Sequence, residues 1–375
     1  MKNMNPADIL KNIQKHAEKS LATSLLEGVA TRESIDYICR CTSNRSGVRL
    51  IMACLLAKLD KPDVDPRKPY TEIGSDDCFS GRSYDEQYLT AFIHANRLPV
   101  NATTAFLTPT LRNINQPLTT GRELIGRPRE LYNNALKILE DVALQRIPAN
   151  VVLTEIVRVL ITIRNEQDAR MDSLLRSIKH GEGSLPLSSE DIVTLIKQHL
   201  ACKHASRLPV LVVAAAYQAA GEKLAEYIRP LHGHNAADLQ TGALGDIELC
   251  LAGENKTVTA YEMKMKQVTR DDIDHAVNKI AKASCQVDNY LFVTTDRIDP
   301  MVAEYAASFY EKTSGTEVAI IDCIDFIRHF LHLFHRIRTD YLNAYQGLVL
   351  NEPDSSVSQA LKEAFLALRK EAESD

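Results

Sequence analysis

The stretch at 245–267, GDIELCLAGENKTVTAYEMKMKQ, limits the possible folds more than any other part of the chain. Its apolar residues recur at every second position: Ile247, Leu249 and Leu251, then Tyr261, Met263 and Met265. Period two marks strands, whose side chains alternate between the two faces of a sheet. The polar set alternates with them, Asp246, Glu248 and Cys250 first, then Glu262, Lys264 and Lys266. The turn between the strands falls at Gly253, Glu254, Asn255 and Lys256. Gly253 and Asn255 tolerate the positive φ of a bulged three- or five-residue loop. Directly opposed residues of an antiparallel pair share a face, so the register decides the chemistry. A loop centred on Glu254 sets Asp246 opposite Glu262, and one centred on Asn255 sets it opposite Lys264.

Either register brings two carboxylates and an ammonium to one face. Such a hard-oxygen site suits Mg²⁺, which takes one or two carboxylates, several waters and phosphate oxygens. An ion there serves in-line attack on a phosphodiester, by generating hydroxide and offsetting charge. Lys264 would hold the attacking water or help deprotonate it, the latter more readily if burial lowers its pKa. The competing reading is plainer. Glu and Lys neighbours also keep the outer face of an edge hairpin soluble. The order D…ExK resembles the signature of the PD-(D/E)xK phosphodiesterase fold. In that fold the helix before the sheet often carries a further acid, for which Glu222 is the nearest candidate. The plainer reading of Glu222 is a solvated helix residue.

At 375 residues the chain has room for about two domains with real cores. A formal charge of −5 marks no broadly basic nucleic-acid binder, although binding charge is commonly localised. Eight cysteines lie scattered without CxxC spacing and read as reduced core thiols, neither a disulfide framework nor a zinc site. With no apolar leader-like segment and no apolar run of membrane-spanning length, the expected location is the cytoplasm.

The Gly-, Ser- and Pro-rich stretch HGEGSLPLSS at 180–189 is the clearest linker, and divides an expected helical domain, 1–183, from a second, 184–375. Within the first, helical spacing at 6–28, a helix opening near Thr31 and a nearly all-apolar helix at 48–59 precede a proline-rich loop. Residues 70–129 differ, with Gly, Pro, Ser, Thr and Arg but no long period. Arg82, Arg97, Arg112, Arg122, Arg127 and Arg129 are spread through them, Asp76, Asp77, Asp85 and Glu86 being available to order them. Arg reads guanine edges bidentately, and Ser and Thr commonly hold phosphates, so the segment is a candidate DNA-recognition surface. Scattered cations on a long surface loop are the alternative. In the second domain, a helix is expected over 207–228 and buried strands over 290–296 and 316–322. Helices lie between those strands and over 323–345, so the fold class is α/β, or α+β, a mixed sheet flanked by helices. His329, His332 and His335 recur every third residue, but interleaved Phe and Leu make their helix a core element in preference to a metal site.

The segments YTEIGSDDCFSGRSYDEQYL, RLPVNATTAFLTPTLRN and GRPRELYNNAL, followed by GDIELCL and YEMKMK, resemble type II restriction endonucleases of the SacI family. The resemblance spans roughly residues 30 to 350. It implies Mg²⁺-dependent cleavage of double-stranded DNA at a short palindrome by a homodimer, with a cognate DNA methyltransferase encoded nearby. The family's namesake cuts within GAGCTC. By position, Asp246 and Glu262 would ligate the metal with a backbone carbonyl near Met263, and Lys264 would serve the water. Arg82, Arg112, Arg122 and Arg127 would contact DNA. Gly245 stands where the motif's proline would be. Two other readings compete: a nuclease of this fold whose specificity comes from a partner in a defence or repair complex, and a non-catalytic helical interaction protein.

Overall fold

The computed structural model describes residues 5–101, 103–179, 185–231, 243–254, 256–282 and 287–374, without the side chains of Lys179 and Glu222. They form two compact units, Met1–Ala169 and Arg170–Asp375. The division falls inside a helix, Ala149–Lys179, whose last turns place Met171, Leu174, Leu175 and Ile178 against the core of the second unit. Residues 180–184 of the expected linker lie outside the described residues.

The first unit is helical. Asn5 caps α1 (Pro6–Lys19) by accepting from the Ala7 amide, with Pro6 at the first helical position where its missing N–H costs nothing. Helix α2 (Val29–Arg40) opens two residues ahead of Thr31. Helix α3 (Ser46–Asp60) is buried without interruption from Ser46 to Ala57, as its all-round apolar sequence requires. Short helices α4 (Gly81–Tyr84) and α5 (Thr90–Ala95) flank one π-helical turn, Asp85–Leu89. Helix α6 (Arg129–Ala143) and the first turns of α7 (Ala149–Lys179) complete the core.

In the second unit the Ser188–Asp191 capping box starts α8 (Ser189–Leu200), and the apolar α9 (Leu208–Leu224) follows. The helix expected to 228 stops early. Ala225 takes a left-handed conformation (φ 54°), and the next residues form strand β1 (Glu226–Ile228). Strands β2 (Ile247–Leu251), β3 (Thr257–Lys264), β4 (Asn289–Thr294) and β5 (Glu317–Asp322) extend the sheet in the order β1-β2-β3-β4-β5. The first two pairings are antiparallel and the last two parallel. Helices α10 (Arg270–Lys282) and α11 (Pro300–Ala307) occupy the two parallel crossovers. The helix expected over 323–345 breaks at Phe334 into α12 (Cys323–Leu333), a 3₁₀ turn at His335–Ile337 and α13 (Arg338–Asn351). That break takes His335 off the helix carrying His329 and His332, and His332 pairs with Glu190 at 3.0 Å. Helix α14 (Gln359–Ser374) ends the fold.

Both faces of the sheet are covered. Ile247, Leu249, Tyr261 and Val293 face the core built with α8, α9, α12, α13 and α14. Ala260, Tyr290 and Phe292 face a second core with Ile273 and Ala276 of α10 and Val302 and Ala306 of α11. Cys39, Cys54 and Cys323 are buried thiols, whereas Cys41, Cys78, Cys202 and Cys250 are half-buried, and all seven are free; Cys285 lies outside the described residues. No described helix is long and apolar enough to cross a membrane.

One buried polar contact makes the second unit acid-sensitive. His199 of α8 is fully buried; its Nε2 donates to the Leu361 carbonyl at 3.0 Å, so Nδ1 accepts from the Tyr345 hydroxyl at 2.9 Å. Desolvation pulls its pKa down to about 4, against 6.5 for a free imidazole. Its contribution is therefore whole above pH 6.5 and drains as pH falls toward 4, by about 3 kcal/mol in all. Urea midpoints should drop between pH 7 and pH 4.5 by more in the parent than in His199→Gln; equal drops would show that His199 is not the sensitive group.

Candidate active site

The hairpin ladder pairs Ile247 with Tyr261 and Leu249 with Thr259, positions symmetric about Glu254. Continuing that register sets Asp246 opposite Glu262, the first of the two alignments open to the sequence. A bulge between Leu249 and Cys250 and the positive φ of Gly253 (81°) absorb the turn, and Asn255 lies outside the described residues. Because β3 is the middle strand of five and α10 covers its polar face, the soluble edge-hairpin reading of Glu262 and Lys264 does not hold. Their side chains are only 19% and 29% exposed.

Asp246, Glu262 and Lys264 thus share one face at the end of the central strands. Asp246 is exposed, and its Oδ2 accepts from the Met263 amide at 2.8 Å, a bond that ties the carboxylate to β3. Gly245 is required for that approach. A Cβ there would collide with the Tyr261 carbonyl, so the residue preceding the acid is fixed by backbone packing. Glu262 is held from three sides: Lys264 Nζ lies 3.4 Å from Oε1, Lys279 Nζ 3.6 Å from Oε2, and the Tyr290 hydroxyl donates to Oε2 at 3.3 Å. The single Tyr290 hydroxyl proton is shared with the Leu244 carbonyl, the nearer of its two acceptors at 2.9 Å, while buried Glu248 accepts from the Leu244 amide. The turn carrying Asp246 is therefore clamped at both backbone atoms of Leu244. Glu248, Tyr290, Lys279 and Asp272 were not legible as site residues.

The Lys264 ammonium is pulled in two directions. Burial does pull its pKa down, but the Asp272 hydrogen bond at 3.0 Å and the Glu262 and Asp272 charges outweigh it, and the net value is raised. The donors fit a divalent ion of the Mg²⁺ kind. The Asp246 carboxylate lies on the Met263 amide, next in the strand to Glu262, and among the described residues no group of three His, Cys, Asp or Glu side chains forms a metal cage. Mg²⁺ keeps most of its waters and needs no such cage.

The other expected residues lie elsewhere. The Glu222 side chain is outside the described residues. In the first unit Arg82 pairs with Glu86 at 2.8 Å, Arg97 with Asp168 at 2.8 Å, and Arg122 donates to Gln116 at 3.1 Å. Arg112 and Arg127 are exposed; the Arg127 carbonyl accepts from Asn44 at 2.9 Å, which fixes the loop bearing it. The acids do not all order these arginines. Asp85 binds Arg49 of α3, and Asp77 binds Lys68.

Residues 184–295 match the family model of the SacI restriction endonuclease C-terminal domain. The chain carries a SacI-family restriction endonuclease domain. The matched span of that SacI-type domain holds α8, α9, β1 to β4 and α10, with Asp246, Glu262, Lys264 and Asp272, and stops short of β5. No curated protein matches the chain at a significant level.

Proposed function

We propose that the chain is a Mg²⁺-dependent endonuclease of the type II restriction class, cutting double-stranded DNA at a short palindrome as a homodimer. The observation that supports this most is the convergence of Asp246, Glu262 and Lys264 on the central strands of a domain that matches a restriction endonuclease family. Asp246 and Glu262 would hold the ion with the Met263 carbonyl. When bound, the ion supplies Lewis acidity toward the phosphodiester and its attacking nucleophile. The chain's own residues do the rest. The Met263 amide and the Leu244 clamp orient Asp246, Lys279 and Tyr290 orient Glu262, and the Lys264 ammonium donates to water or phosphate oxygen. A palindromic target matches a two-fold assembly, in which each copy cuts one strand.

Purified protein with Mg²⁺ and a mixed-sequence plasmid should give discrete fragments. Cutting that appears only after a partner protein is added would move specificity to that partner, and a plasmid left intact in every condition would remove the enzymatic reading. A DNA methyltransferase gene beside this one is the genomic counterpart of the same proposal. Sequence reading is assigned to the 70–129 segment, with Arg82, Arg112, Arg122 and Arg127 as DNA contacts. Arg127→Ala should then lose about 1–3 kcal/mol of binding to the cleaved site and much less to random duplex. Equal losses on both, measured by fluorescence anisotropy in Ca²⁺, would reduce it to a phosphate contact.

A further inference from the structure

Asp272, the third residue of α10, uses its two oxygens on different partners. Oδ2 accepts from the Thr269 amide at 2.9 Å and the Thr269 hydroxyl at 2.7 Å, and so caps the helix. Oδ1 lies 3.0 Å from Lys264 Nζ, closer than the 3.4 Å separating that ammonium from Glu262. A helix cap of this kind needs a carboxylate but no cation. The contact with Lys264 is therefore additional to the cap. Helix α10 is itself held in place, with Ile273 and Ala276 buried on the sheet and Lys279 reaching Glu262. A lysine ammonium sits on a flexible four-carbon stem, and an unpinned one would occupy several rotamers. We propose that Asp272 is a positioning residue for the cleavage reaction: it fixes the Lys264 ammonium beside Glu262 before DNA arrives. This rests on the nuclease reading of Asp246, Glu262 and Lys264.

The test uses the full chain and a plasmid fragment that the parent cuts. Asp272→Asn keeps the shape of the side chain but removes its charge, and turnover at saturating DNA should fall by about 10²-fold with KM unchanged. Thr269→Ala removes the cap's hydroxyl and leaves the Asp272–Lys264 contact, so its turnover should stay within about threefold of the parent even though it lowers the melting temperature. The proposal is overturned if Asp272→Asn cuts at near the parent rate, if it changes KM alone, or if Thr269→Ala slows turnover as much as Asp272→Asn does. A parent that cuts no DNA would sink the nuclease reading itself, an outcome separate from all of these.

Discussion

Asp246→Ala is expected to lower the cleavage rate by about 10³-fold or more while leaving DNA binding in Ca²⁺ within about threefold of the parent. The asymmetry follows from position. Asp246 is exposed, and among the described residues its carboxylate accepts from the Met263 amide, so its loss costs little structure. What it removes is half of the carboxylate pair proposed to hold the ion. Lys264→Ala should behave alike, since the Lys264 ammonium lies 3.4 Å from Glu262 and 3.0 Å from Asp272. Gly245→Ala offers an independent check that alters no charged group. A methyl group at 245 must displace either the Asp246 turn or the Tyr261 carbonyl, and a shift of about 1 Å at a reacting group costs about 10²-fold in rate. Rates from timed plasmid digests decide these cases. Near-parent cutting by Asp246→Ala or Lys264→Ala would remove the site assignment, and near-parent cutting by Gly245→Ala would show that the close approach has no bearing on catalysis.

Much of the site was legible because strand periodicity is a rigid code. Two alternating runs separated by a turn leave only the loop centre undecided, and both centres place Asp246 with Glu262 and Lys264 on one face. What the hairpin alone does not show is its neighbours. That β3 is central depends on β4 and β5 pairing beyond it, and the same alternation would suit a solvated edge. The partners of the site residues were hidden for a related reason. Tyr290 and Lys279 approach Glu262 from a strand and a helix 28 and 17 residues downstream (290 − 262 and 279 − 262), at spacings that carry no local signal. The break at Phe334 likewise lacks the Pro or Gly that would announce it, and the short β1 was concealed by a run that continues the helical pattern of α9. In the first unit the acids near Arg82 read as its partners. Glu86 is one, but Asp85 faces the opposite way, into the core.

That inward turn gives the largest stability effect expected of the molecule. Arg49 is the fourth residue of α3 and Asp85 begins the π-helical turn, and both side chains are fully buried. Arg49 Nε donates to Asp85 at 2.7 Å, Nη1 to the Asn101 carbonyl at 2.6 Å and Nη2 to Thr90 at 2.8 Å, besides its ion pair with Asp85. The second Asp85 oxygen accepts from the Thr104 hydroxyl at 2.7 Å and the Ala105 amide at 3.0 Å. A buried pair so fully bonded adds little over an apolar pair of the same volume, but removing one member strands the other charge in a low-dielectric core. Asp85→Ala or Arg49→Ala should each cost about 3–5 kcal/mol, whereas Arg49→Met with Asp85→Leu should cost far less than the sum of the single losses. Hydrogen exchange of the α3 amides reads this out for the first unit alone. Protection lost in the single variants and largely restored in the double one is the expected pattern. Additive losses would mean that the guanidinium's bonds to Asn101 and Thr90, and the carboxylate's to Thr104 and Ala105, hold the 81–107 segment on α3 independently of the charge pair.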